Sequence, residues 1–149
     1  MKILEISWQR LVSSGETCPR CGGTEEELGK AVYSLKESLR PLGFKVVFDK
    51  KELSVAEFKE SPLQSNMIII NDKPLENWIN GKIGKSKCCD VCGPTNCRTT
   101  TVEGETYEKI PAELIIKAGL IAASNMVASE ESKSCCDDKS SSITNKNCC

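Results

Sequence analysis

The sequence predicts an α/β fold built from a parallel β-α-β unit, a later β-hairpin and a C-terminal helix. Three observations predict it. Residues 3–11 alternate apolar and polar positions, with Leu4, Ile6 and Trp8 on one face. Leu28, Val32, Leu35 and Leu39 then recur at helical spacing, and "FKVVFD" at 44–49 returns to a strand-like run. A strand, helix and strand joined by short links close as a right-handed parallel unit.

The elements follow in order. "ILEISWQRL" at 3–11 is the first strand. Thr24 and Glu27 have the spacing of a capping box and open the first helix, which Pro41 and Gly43 end. Residues 44–49 are the second strand. Ser54 caps a short helix over "VAEFKE", and "NMIII" at 66–70 is a third strand closed by Asn71 and Asp72. "KPLENWIN" at 73–80 reads as an excursion with a helical turn carrying Trp78. "TTTV" and "ETYEKI" flank Glu103-Gly104, a hairpin signal. Pro111 suits the first turn of a final helix, expected to run to about Val127 and to be buried against the sheet. After it, "SEESKSCCDDKSSSITNKNCC" has almost no apolar residue and cannot offset the entropy of ordering. The expected organisation is one domain over 1–128, a cysteine-rich insertion at 84–98 and a disordered cysteine-rich tail at 129–149. The first half plus the later hairpin and helix matches a thioredoxin-like plan, in which a Cys-x-x-Cys follows the first strand.

Composition narrows the function classes. The net charge is -1 and no basic block is interleaved with aromatics, so nucleic-acid binding is not expected. There is no histidine, which removes the commonest general base and nitrogen ligand. Lys2, Glu5 and Arg10 interrupt the N-terminal segment, unlike a signal peptide, and "LIIKAGLIAA" at 114–123 is short for a membrane span. A cytoplasmic protein is expected, with no membrane partner and most of its ten cysteines as thiols.

Cys18 and Cys21, in "TCPRCGGT", fit two chemistries. As a redox dithiol, Cys18 at a helix N-terminus would be the exposed nucleophile, its pKa below that of an ordinary thiol, and Cys21 the more buried resolving thiol. Pro19 would fix the loop and Arg20 add positive charge. As half of a metal site, "CPRCGG" and "CDVCGP" would together supply four thiolates. Cys88, Cys89, Cys92 and Cys97 suit zinc or another thiophilic ion, with an iron–sulfur centre the lesser expectation. The same cluster could relay thiols to Cys18. Cys135-Cys136 and Cys148-Cys149 are vicinal pairs able to wrap a soft ion such as trivalent arsenic or mercury. Pro62 precedes the third strand, where thioredoxin-like folds carry a cis-proline facing the dithiol, but an ordinary loop proline is the preferred reading. Trp8 and Trp78 read as packing residues.

The stretches "TCPRCGGTEEEL", "SPLQSN.III", "CCDVCG...CRT" and "IPAELIIKAGL" resemble an uncharacterised prokaryotic family, domain of unknown function 2703, grouped with thioredoxin-like folds. The resemblance covers roughly residues 1–125. It implies the fold and the place of the Cys18/Cys21 pair, and no activity or substrate. Two function classes stand. One is a thiol–disulfide redox protein acting on a thiol or disulfide partner protein through Cys18/Cys21, coupled to the 88–97 cluster. The other is a non-enzymatic protein that binds or delivers a soft metal or metalloid ion, using Cys18/Cys21, the cluster and the tail.

Overall fold

A computed structural model of the chain describes residues 1–12, 15, 18–87 and 95–134, with 130–134 described by backbone alone. The architecture is mixed α/β. The central strand β1 (Lys2–Leu11) pairs in parallel with β2 (Phe44–Leu53) along its whole length, Lys2 opposite Phe44 and Leu11 opposite Leu53. On its other side β3 (Met67–Ile70) runs antiparallel, Trp8 opposite Ile68, and turns into the short β4 (Lys73–Pro74). The sheet order is β2-β1-β3-β4. The alternation of the first strand is a burial pattern: Leu4, Ile6 and Trp8 are fully buried.

The helix α1 (Pro19–Leu39) makes the crossover from β1 to β2 and buries Leu28, Ala31, Val32, Leu35 and Leu39. Each fully buried leucine contributes about 1.5–3 kcal/mol of transfer free energy. Gly43, at φ 78°, ends the helical segment in the left-handed region that glycine adopts without strain. The last helix, α4 (Ala112–Ser134), lies against α1 with Ile115, Ala118 and Ala122 fully buried. Leu120 on its other face is 42% exposed, so the helix buries one side only. Its Ala112–Ser129 segment is long and apolar enough to cross a membrane by length and composition, a test that core helices also pass. The ten-residue apolar stretch in the sequence is thus part of a longer apolar helix. The helix also continues beyond Val127 to Ser134. The remainder of the expected tail, 135–149, lies outside the described residues.

The hairpin at Glu103-Gly104 forms, with φ of 52° and 82° as a two-residue turn requires. It joins β6 (Asn96–Val102) to β7 (Glu105–Tyr107) and does not complete the main sheet. It belongs to a separate antiparallel sheet, β5-β6-β7, where β5 is Lys82–Lys87. The hairpin of the main sheet is β3-β4, turned by Asn71 and Asp72 at φ 45° and 66°. The helix α2 (Val55–Glu60), opened by the capping box of Ser54 and Glu57, follows β2, and α3 (Leu75–Trp78) leads from β4 of the main sheet to β5 of the second.

Buried charge docks the second sheet. Arg98 on β6 is bidentate to Glu76 on α3, at 3.2 and 2.8 Å, and both are nearly inaccessible. Thr100 donates to the same carboxylate at 2.6 Å, and Arg98 Nη1 donates to the Leu63 carbonyl at 3.0 Å. Arg98 therefore ties β6 to the segment that leads into β3.

Candidate functional site

Cys18 is the N-cap of α1, in extended conformation at φ -73° and ψ 159°. Pro19 follows at the first helical position, where its missing N–H removes no helical bond. The Gly22 N–H donates to the Cys18 carbonyl at 2.9 Å, closing the first turn and carrying the helix through Gly22 and Gly23. Cys18 and Cys21 thus sit on one helical turn at the carboxyl end of β1. Both are reduced thiols.

The expectation of an exposed Cys18 is corrected: Cys18 is 1% and Cys21 2% exposed, both within the main core cluster. The physical reason lies in Arg20. Its Nη2 donates to the Lys87 carbonyl at 3.1 Å and pairs with Glu108 at 3.1 Å, while Ser86 Oγ donates to the same Glu108 carboxylate at 3.0 Å. These bonds draw the end of β5 and the segment after β7 onto the first turn of α1. The Arg20 charge is thereby engaged by a carboxylate.

Thr24 and Glu27 do not open α1, which starts at Pro19 with Cys18 as its N-cap, nearly two turns earlier. They serve α4 instead. Thr24 Oγ1 donates to the Arg20 carbonyl and accepts the Ile110 N–H, each at 3.2 Å. Glu27 accepts the Ala112 N–H at 2.8 Å, and that bond, then Lys30, holds its carboxyl below the ordinary range.

Two functional candidates escaped the sequence reading. Ser65 Oγ lies 3.9 Å from Cys21 Sγ and accepts the Leu11 N–H at 3.1 Å. Asn66 accepts from Trp8 Nε1 at 3.2 Å and donates to the Glu108 carbonyl at 3.0 Å. Both are buried polar residues immediately before β3. Pro62, three residues earlier, opens a 3₁₀ turn (Pro62–Gln64) with a trans bond, as an ordinary loop proline. The available signal was positional: the residues just before the third strand face the dithiol in the expected plan. Trp8 and Trp78 pack as expected, Trp78 donating to the Ile70 carbonyl at 2.9 Å.

Of the second cluster, Cys97 is described. It stands on β6 opposite Ser86, is 3% exposed and is disulfide-bonded. Cys88, Cys89, Cys92, Cys135, Cys136, Cys148 and Cys149 lie outside the described residues. Among the described residues, no group of three or more cysteine and carboxylate side chains is arranged to hold a metal ion. The Arg20–Lys87 bond nevertheless brings the last described residue before this cluster against the first turn of α1.

These features are carried by a chain that belongs to a known family. The model for the domain of unknown function DUF2703 matches residues 4–119, which include Cys18, Cys21, Ser65 and Cys97. An uncharacterized protein of Archaeoglobus fulgidus is 47% identical over 112 residues, covering 75% of this chain and 82% of that protein. No solved structure matches.

Proposed function

We propose that the chain is a cytoplasmic thiol–disulfide exchange protein of thioredoxin-like type, acting through Cys18 and Cys21. One observation carries the reading: two reduced thiols share the first turn of the helix that follows β1. The order β2-β1-β3-β4, with β2 parallel and β3 antiparallel to β1, supports the thioredoxin-like assignment. In the reaction, Cys18 thiolate attacks a disulfide R–S–S–R, forming a Cys18–S–S–R bond and releasing one R–S⁻. Cys21 then attacks Cys18 Sγ, the second R–S⁻ leaves, and each leaving thiolate takes up a proton. The dithiol becomes a disulfide and R–S–S–R becomes two thiols. The disulfide at Cys97 is an internal candidate acceptor, since β5, the strand paired with β6, is held to Arg20.

The test is to isolate the Cys21→Ser protein after exposure to a small disulfide. A persistent mixed disulfide at Cys18 is expected, because the resolving thiol is gone. Alkylation rates of the untreated protein, read by mass spectrometry with and without a chelator, give the second arm. If Cys18 and Cys21 are equally protected and a chelator exposes both, the pair is half of a metal site and the redox reading falls.

A further inference from the structure

We infer that Ser65 is a catalytic residue: its hydroxyl stabilises the Cys21 thiolate that resolves the mixed disulfide. The inference rests on the redox reading above and adds a residue to it. Ser65 Oγ already accepts the Leu11 N–H at 3.1 Å. Its hydroxyl hydrogen is therefore turned toward other acceptors, and Cys21 Sγ lies at 3.9 Å, within reach for sulfur. While Cys21 is a thiol, either atom can donate. Once Cys21 has lost its proton, only the hydroxyl can.

Burial makes that donor matter. Ser65 is 1% and Cys21 2% exposed, so water contributes little to solvating a charge on the sulfur. A buried anion is unfavourable unless hydrogen bonds compensate it. The hydroxyl is also fixed in place. The Ser65 N–H donates to the Pro62 carbonyl at 3.1 Å, Arg98 holds the Leu63 carbonyl, and Asn66 is bonded to both Trp8 and Glu108. A donor held from both sides by the chain needs little reorganisation when charge develops.

The step affected is the second one. Cys21 gives up its proton, its sulfur bonds to Cys18 Sγ, and the Cys18–S(R) bond breaks. The electron pair departs on R–S⁻, which takes up a proton. Ser65 exchanges no proton in the net reaction. Attack of Cys18 on the incoming disulfide precedes this step and does not use it.

The experiment uses the full-length protein and 2-hydroxyethyl disulfide, an uncharged probe. The Cys18 mixed disulfide is quenched with acid at intervals and counted by mass spectrometry. Ser65→Ala should lengthen its lifetime about tenfold, the size expected for loss of a hydrogen bond to a charged group. In a Cys18→Ser background, Ser65→Ala should also move Cys21 alkylation to higher pH. Ser65→Thr keeps the hydroxyl and should keep the wild-type lifetime, which a purely structural role for the alanine effect does not explain. Ser65→Gly leaves room for a water at the Leu11 N–H and serves if the alanine variant is unstable. An unchanged lifetime in the alanine or glycine variant, or an alanine-like lifetime in the threonine variant, overturns the inference alone. Absence of any Cys18 mixed disulfide in Cys21→Ser overturns the redox reading and takes this inference with it.

Discussion

Gly22 and Gly119 both lie inside helices, but for different reasons. A Cβ on Gly119 would stand 2.7 Å from Leu35 Cδ1 and 3.0 Å from Cδ2, and Leu35 is fully buried. The helices α1 and α4 meet there closely enough to leave no room for a methyl group. Gly119→Ala should therefore destabilise the protein by about 1–3 kcal/mol, the usual result of overpacking. Around a Cβ on Gly22 there is nothing within 4 Å. Gly22→Ala should stabilise by about 0.5–1 kcal/mol, because alanine loses less backbone entropy in a helix. Urea midpoints of the two variants should move in opposite directions. A Gly119→Ala midpoint at or above that of the parent would mean that the close approach to Leu35 is not what constrains Gly119. The sequence pattern could not set these glycines side by side, since it opens the first helix at Thr24 and leaves Gly22 outside it. It did locate Cys18 and Cys21, because their spacing and their place after a strand are local properties. Ser65 and Glu108 join the site through partners far away in sequence, Cys21 and Arg20, and buried polar residues leave no periodic trace. Thr24 and Glu27 show a related difficulty: their capping-box spacing is genuine, but the N–H groups they satisfy belong to Ile110 and Ala112.

Among the elements, β1, α1, β2, β3 and α4 were legible because each has a long enough periodic face. The strand β4 is only Lys73–Pro74, too short to show a period, so the sequence pattern assigns the later hairpin at Glu103-Gly104 to the main sheet. What sends β6 elsewhere is Arg98, a charge at a position that the pattern cannot mark as buried. Breaking one side of a buried ion pair leaves a charge without compensation, which costs about 3–5 kcal/mol. Arg98→Met should have that effect, since Glu76 is 3% exposed. The double variant Arg98→Met with Glu76→Gln removes the stranded charge and should recover part of the loss. Denaturation of the two variants checks this. A double variant no more stable than Arg98→Met would show that the guanidinium contributes mainly through its bond to the Leu63 carbonyl.

For the molecule as a whole, the joint between α1 and α4 brings distant parts of the chain together, and Glu27 sits on it. Its carboxylate accepts the Ala112 N–H at 2.8 Å and pairs with Lys30 at 3.0 Å. Negative charge is also favourable there because Ala112 begins α4, where the helix dipole is positive. The Ala112 bond first, and Lys30 second, lower the Glu27 pKa from its ordinary value of 4.5. The sign follows. A carboxyl whose folded pKa is depressed favours the folded state above its unfolded pKa, and that contribution fades as pH falls through the folded value. Glu27→Gln keeps the acceptor oxygen and removes only the charge. At about pH 7 the variant should be less stable than the parent, and the gap should close as pH drops below about 4.5. Urea titrations of both proteins across that range measure it. A gap that stays constant into acid would mean that the charge does nothing and that the amide–carbonyl geometry alone holds α4 on α1.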